Sequence, residues 1–217
     1  MPMFRQVARP QLVELARHAR VQHVRRGATV CRRGESLNCF FGVAYGLLKL
    51  ALRANGGEEK VLRLVGAGET FGEALVFRER PNPLEAVALA DTMLVVFPSQ
   101  AVISLFEHDL NFARGLLASL SERMHDLVSE VEASTLLSAR QRVATYLESL
   151  AAENANGRAR LPATKTVIAA RLGVTKETFS RLLRELANQG LIEVEKRDIL
   201  LRDRAGLAAV AQGALHA

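Results

Sequence analysis

The sequence predicts an α+β fold in three parts: an antiparallel β-rich domain over residues 1–109, one long helix over 110–137, and a winged helix-turn-helix over 138–217. Three observations carry that prediction. Short apolar runs punctuated by glycine fill the first half of the chain, and an unbroken seven-residue apolar repeat follows them. Near the C-terminus, two helical segments flank a glycine turn and are trailed by a strand pair.

Pro10 to Ala19 reads as a short helix, with Leu12, Val13, Leu15 and Ala16 as its apolar positions. From Val21 to about Pro98 the texture changes to short apolar runs broken by Gly27, Gly34, Gly42, Gly46, Gly56, Gly57, Gly66, Gly68 and Gly72. Leu47-Leu48-Lys49-Leu50, Lys60-Val61-Leu62-Arg63-Leu64 and Met93-Leu94-Val95-Val96-Phe97 are strand-sized. Strands and turns at this spacing predict an antiparallel sandwich or barrel.

A single helix is expected from about Leu110 to Thr135. Leu110, Ala113, Leu117, Leu120, Met124, Leu127 and Val131 recur in alternating steps of three and four, while Glu122, Arg123, Asp126, Glu130 and Glu132 lie off that seam. A helix facing the core of its own domain would also carry such a stripe. The length and narrowness of this one favour a two-helix coiled coil, with Leu117, Leu120, Met124, Leu127 and Val131 as the dimer interface. Ser138-Ala139-Arg140-Gln141-Arg142 breaks the seam and reads as a hinge. A further helix runs to Ala152, then the polar loop Glu153-Asn154-Ala155-Asn156-Gly157 leads to Leu161-Pro162.

Thr166 to Arg171 is a short helical run ending at Leu172-Gly173-Val174, where Gly173 permits a sharp turn. The next helix opens with Thr175-Lys176-Glu177-Thr178-Phe179-Ser180-Arg181 and has two faces. Phe179, Leu182, Leu183 and Leu186 form one apolar stripe. Glu177, Ser180, Arg181 and Arg184 share another face, with Lys176 beside them. An arginine can grip guanine O6 and N7, and a carboxylate can accept from cytosine N4. Glu177 and Arg181, one turn apart, would thus read opposite strands of one short site. The candidate DNA contacts are Thr175, Lys176, Glu177, Ser180, Arg181 and Arg184, with Lys165 and Lys176 expected at phosphates. An ordinary amphipathic surface helix would show the same two faces. The preceding turn, the small Ala169 and Ala170, and the following segment favour the helix-turn-helix. Asn188-Gln189-Gly190 ends the helix, Leu191-Ile192-Glu193-Val194 alternates like a strand, Lys196-Arg197-Asp198 turns, and Ile199-Leu200-Leu201 returns as a β-wing. A protein of this kind usually reads two half-sites as a dimer.

Composition limits the alternatives. Of the 217 residues, 49% are hydrophobic and 24% charged, as in a globular protein. No apolar run reaches roughly 18 residues, so no membrane-spanning helix is expected. Met1-Pro2-Met3-Phe4-Arg5 lacks the apolar core of a signal peptide, which predicts a cytoplasmic protein. A net charge of +6 suits a polyanionic partner. Part of the excess is N-terminal, where Arg5, Arg9, Arg17, Arg20, Arg25, Arg26, Arg32 and Arg33 face only Glu14 and Glu35; this reads as a solvated face. Cys31 and Cys39 cannot supply the thiolate set of an iron–sulfur cluster, have no CxxC partner for zinc, and read as buried reduced thiols. No paired catalytic carboxylates, nucleophile elbow, P-loop or metal-ligand cluster is present, which argues against an enzyme.

This order of elements resembles the cAMP receptor protein/FNR family of bacterial transcription regulators over nearly the whole chain. The residues that carry the resemblance are Arg33-Gly34-Glu35, Gly46, Gly66-Ala67-Gly68-Glu69-Thr70-Phe71-Gly72-Glu73-Ala74, and Thr175 to Arg181 with Leu186. It implies an N-terminal β-roll of the cyclic-nucleotide-binding type that senses a small effector, a homodimer, double-stranded DNA as ligand and RNA polymerase as partner. The spacing of Glu177, Ser180 and Arg181 is similar to the FNR-type reader of TTGAT half-sites, whereas cAMP-type members carry Gly at the Ser180 position.

The implied effector pocket comprises Phe71, Gly72, Glu73, Leu84, Glu85, Leu127 and Val128. In cAMP-binding members an Arg-Ser pair holds the cyclic phosphate. The nearest positions here are Leu84 and Glu85, and Glu85 would repel a phosphate. Leu127 and Val128 stand in place of the adenine-contacting hydroxyls, so no cAMP response is expected. The cluster cysteines of FNR are absent too, so no iron–sulfur cluster is expected. The segment Phe71 to Phe77, followed by Pro81-Asn82, is most similar to the DNR-like branch, which responds to nitric oxide through haem. That leaves haem as the candidate cofactor, with His18, His23, His108 and His125 as alternative axial ligands and any metal site undetermined. Two other functions compete: a ligand-binding regulatory module without DNA function, and a regulator responding to a cyclic nucleotide.

Overall fold

Apolar residues of the first-half strands are buried, and the strands pair into two four-stranded antiparallel sheets. The first sheet is ordered β1 (Arg20–Val24), β8 (Thr92–Pro98), β3 (Cys39–Tyr45), β6 (Thr70–Phe71). The second is β2 (Thr29–Cys31), β7 (Glu85–Ala88), β4 (Leu47–Arg53), β5 (Glu59–Gly66). Val24, Phe41, Val43, Leu48, Leu50, Val65, Phe71, Leu94 and Val96 fill the space between them. At Gly46 the chain turns from β3 into β4 with φ of +100°, and an added Cβ would lie 2.8 Å from the Asp91 carbonyl oxygen. Glycine is therefore required there. The computed structural model describes all residues except 2, 3, 6, 55, 56, 78, 79, 153–157 and 214–217, so the polar loop expected over 153–157 lies outside the described residues.

A second core lies on the outer side of the first sheet. Helices α1 (Arg9–His18) and α3 (Ser99–His108) and the start of α4 (Leu110–Leu136) bury Leu15, Phe40, Phe97, Val102, Leu105, Phe112 and Leu116 together. The Phe4 ring stacks on Phe112 with centroids 5.6 Å apart. Each such fully buried side chain stabilises the fold by about 1.5–3 kcal/mol. The sequence reading missed α3, because Val102, Ile103, Leu105 and Phe106 follow directly on the apolar β8 and blur the change of period.

Asp109 starts α4 as an N-cap: its Oδ1 accepts from the amides of Asn111 at 2.8 Å and Phe112 at 2.9 Å. The helix runs 27 residues, roughly 40 Å. The chain forms two compact units, Met1–Asp126 and Leu127–Ala217, and their boundary falls inside this helix. The expected seam needs one correction. Leu120 is half-buried against the second core of its own unit, on a stripe with the buried Phe112 and Leu116. Two apolar stripes run side by side along this half of α4, and Leu120 belongs to the inner one. Leu117, Met124, Leu127 and Val131 stand 58%, 65%, 51% and 64% exposed.

In the second unit, Ser138 and Gln141 form a capping box that opens α5 (Ala139–Ala152). Gln141 Oε1 accepts from the Ser138 amide at 2.9 Å, and Ser138 Oγ accepts from the Gln141 amide at 3.3 Å. The break read at Ser138 is therefore a helix restart. Strand β9 (Arg158–Arg160), helices α6 (Lys165–Leu172) and α7 (Lys176–Asn188), hairpin β10 (Ile192–Glu195) and β11 (Asp198–Leu201), and α8 (Arg204–Ala211) complete the unit. The sheet order is β10-β11-β9. Leu147, Leu161, Ile168, Phe179, Leu183, Leu186, Ile199 and Leu207 are fully buried. The sequence reading also missed β9 and α8; a three-residue Arg-Ala-Arg strand is too short to show a period. Among the described residues no helix is long and apolar enough to cross a membrane.

Candidate nucleic-acid interface and effector region

Local capping places the reading helix. Thr164 caps α6, Gly173 ends it in the left-handed conformation at φ 66° and ψ 40°, and the chain reaches Thr175. Thr175 Oγ1 accepts from the Thr178 amide at 3.1 Å and lies 3.1 Å from the Thr178 hydroxyl. Thr175, expected on the reading face, thus holds the helix start, a cap worth about 1 kcal/mol. At the far end, the Gly190 amide donates to Ala187 and the Leu191 amide to Leu186, closing α7 with a Schellman motif.

Between these caps both faces of α7 stand as read. Phe179, Leu182, Leu183 and Leu186 are buried. Lys176, Glu177, Arg181 and Arg184 are exposed, Ser180 is half-buried, and Lys165 is half-buried at the start of α6. Arg181 Nη1 donates to Glu185 Oε1 at 2.7 Å, a partner the sequence reading did not consider. An exposed pair one turn apart contributes only about 0.3–0.5 kcal/mol, so a base or phosphate can draw Arg181 away at small cost.

The wing adds cations that the sequence reading left out. Lys196 and Arg197 form the exposed tip of the β10–β11 hairpin, with Lys196 at φ 56°. Arg158 and Arg160 alternate with the buried Ala159 along β9 and so share its exposed face. Arg160 Nε is 3.7 Å from Asp198, while Arg202 Nε donates to Glu193 at 2.9 Å. The alternation Arg158-Ala159-Arg160 was the signal available in the sequence, and it gained meaning only once β9 paired with β11.

At the mouth of the first unit's sheets, Phe71 is buried and stacks on Phe41 at 4.8 Å, and Gly72 takes φ 88° to start the short α2 (Glu73–Val76). The Glu73 side chain is 4% exposed. Its carboxylate accepts from Arg123 Nη1 on α4 and from the Thr70 hydroxyl. Arg123 Nη2 also donates to the Thr70 carbonyl at 2.9 Å, and Arg63 Nη1 reaches the same oxygen at 3.0 Å. In the sequence Arg123 simply lies off the apolar seam, and Glu73 and Arg123 are 50 positions apart.

Leu84 is half-buried against the inter-sheet core. Glu85 is not a free charge, since Arg53 Nη2 lies 3.7 Å from its carboxylate. Leu127 and Val128 stand exposed on α4. An apolar cleft of about 320 Å³ does open under α1, lined by Met1, Phe4, Leu12, Leu15, Ala16, Ala19, Val95 and Phe97, and none of the predicted effector residues borders it.

The four histidines read as haem ligands are all exposed. His18 Nε2 is 3.2 Å from Glu14, His23 Nδ1 is 3.4 Å from the Tyr45 hydroxyl, and His108 Nδ1 is 2.8 Å from the Ser104 carbonyl oxygen. None lines the apolar cleft, so these side chains do not form an apolar berth with an axial ligand for haem. Cys31 is buried and Cys39 half-buried, both free thiols. Burial pushes the Cys31 thiol up to about 11, which keeps it protonated and inert at neutral pH.

Residues 21–109 match the cyclic nucleotide-binding domain family, and residues 141–210 match the Crp-like helix-turn-helix domain family. The cyclic AMP receptor protein of Thermus thermophilus is 29% identical over 213 residues, covering 98% of this chain and 97% of its own. The transcriptional activator protein FnrA of Stutzerimonas stutzeri is 29% identical over 199 residues, covering 89% of this chain and 81% of its own. Among solved structures, FixK2 of Bradyrhizobium japonicum superposes with a TM-score of 0.79 at 24% identity, covering 88% of this chain and 96% of its own, a likeness of fold.

Proposed function

We propose that the chain is a DNA-binding transcription regulator of the cAMP receptor protein/FNR family and works as an effector-controlled homodimer that reads a palindromic TTGAT-type site. The observation that carries this reading is the face of α7, where Glu177, Ser180 and Arg181 lie outside a fully buried apolar stripe. Arg181 takes guanine O6 and N7, Glu177 accepts from cytosine N4, and Ser180 leaves room for both. Lys165, Lys176, Arg184 and the wing cations Lys196 and Arg197 meet phosphates and set register without reading sequence. The exposed stripe Leu117, Met124, Leu127 and Val131 pairs with its copy in a second chain. RNA polymerase is the proposed partner once DNA is bound, in the cytoplasm.

The effector is a small molecule acting where the roll meets α4. Glu73 belongs to the roll and Arg123 to α4, so a ligand that takes either group must break their ion pair and change how the helix is held. A cyclic phosphate is not the proposed effector, because Glu73 is paired with Arg123 and Glu85 lies beside Arg53.

A base-swap test addresses the reading face. On a TTGAT-N4-ATCAA duplex, Arg181→Ala is expected to lose about 1–3 kcal/mol of binding free energy, and changing the G·C pair should cost the wild type a similar amount. The change should then cost the Arg181→Ala protein little more. Mobility shifts in which the base change weakens both proteins equally would remove Arg181 from that pair.

A further inference from the structure

Helices leave their last carbonyls without intrahelical donors. In the second unit, one guanidinium serves two such ends. Arg142, half-buried on the first turn of α5, donates from Nη1 to the Leu137 carbonyl oxygen at 2.7 Å and from Nε to the Leu172 carbonyl oxygen at 2.9 Å. Leu137 directly follows α4, and its amide still bonds back to Ala133. Leu172 is the last residue of α6, next to the left-handed Gly173 that leads to the Thr175 cap of the reading helix. A second tie joins the same two elements: Arg171 Nη2 lies 3.9 Å from Glu130 on α4, and its guanidinium sits over the Tyr146 ring at 5.8 Å from the centroid.

We infer that Arg142 is a positioning residue for DNA reading, tying the end of α4 to the turn ahead of α7 so that the reading helix leaves α4 at one set angle. The inference rests on the dimeric reading proposed above. The positive fork also meets the negative ends of both helix dipoles, which favours this charge at this place. The head itself is held by a separate core, Leu147, Ile168, Phe179 and Leu186, so loosening the clamp frees its angle without unfolding it. Two heads on one duplex must match the separation and phase of two half-sites. A fixed angle gives the second head a high effective concentration at one spacing only, and a loose angle spreads it over several. Lysine retains the charge but replaces the planar fork with a single ammonium, so it cannot reproduce both bonds in this arrangement.

The test uses full-length wild type, Arg142→Met and Arg142→Lys, with fluorescence anisotropy on palindromes carrying N4 or N6 spacers and on a single half-site. Wild type is expected to prefer one spacing. In both variants that preference should fall roughly tenfold, the factor carried by one lost coupling of ordinary strength, while half-site affinity stays within about twofold. Thermal melts identify a variant that fails to fold, and Arg142→Lys then carries the test alone. Retained spacing preference in a folded variant that still binds the half-site overturns the role given to Arg142. A wild type that binds both spacings alike overturns the dimeric reading, and this inference with it.

Discussion

At the scale of single residues, the reading face of α7 was legible in the sequence because it depends on one helix alone. Phe179, Leu182, Leu183 and Leu186 declare the buried side, and Glu177, Ser180 and Arg181 follow as the opposite one. The pair Glu73–Arg123 was not legible, since only the folded chain brings a buried carboxylate from the roll to a guanidinium on α4. For the same reason the sequence does not show that Arg53 lies beside Glu85. Removing one member of the buried pair leaves the other uncompensated in a site with little water. Arg123→Met is expected to destabilise the protein by about 3–5 kcal/mol, seen as a lowered urea midpoint. Adding Glu73→Gln to it should recover part of that loss, because the orphaned charge is gone. A single variant as stable as wild type, or a double variant weaker than the single one, would contradict the pairing.

At the scale of elements, α4 shows where a one-dimensional pattern runs out. Its length and heptad spacing were readable, but two apolar stripes share one half of the helix, and spacing alone cannot say which stripe faces its own domain. The structure assigns Phe112, Leu116 and Leu120 inward and leaves Leu117, Met124, Leu127 and Val131 outside. The elements missed by the reading, α3, β9 and α8, are short and gain definition from partners: α3 from the second core, β9 from its pairing with β11, α8 from packing on α5. The two stripes predict different failures. Leu127→Asp should dissociate the dimer while each chain stays folded, because a charge is buried against its own copy only on association. Leu116→Asp should instead unfold the first unit, since Leu116 is 2% exposed in the single chain. Sedimentation together with circular dichroism separates these outcomes. A folded dimer of Leu127→Asp would show that the outer stripe is not the interface.

At the scale of the whole molecule, the order of parts was readable from texture alone: glycine-broken strands, a long apolar repeat, then a turn between two short helices. The contacts that join the parts were not, because Glu73–Arg123 and Arg142–Leu172 link positions 50 and 30 apart in the chain. With Glu73 and Glu85 both engaged by arginines, calorimetric titration with cAMP is expected to show no binding at micromolar concentration, and micromolar affinity would require a different arrangement of the roll's mouth. The central claim is that two copies of α7 act together on one duplex. It is tested most directly by comparing the affinity of the full-length protein for TTGAT-N4-ATCAA with that for a duplex carrying one intact half-site, with stoichiometry measured alongside. The account predicts one dimer per palindrome and binding at least roughly a hundredfold tighter than to the half-site, as linked sites on one scaffold require. Equal affinities, or one chain per duplex, would contradict it.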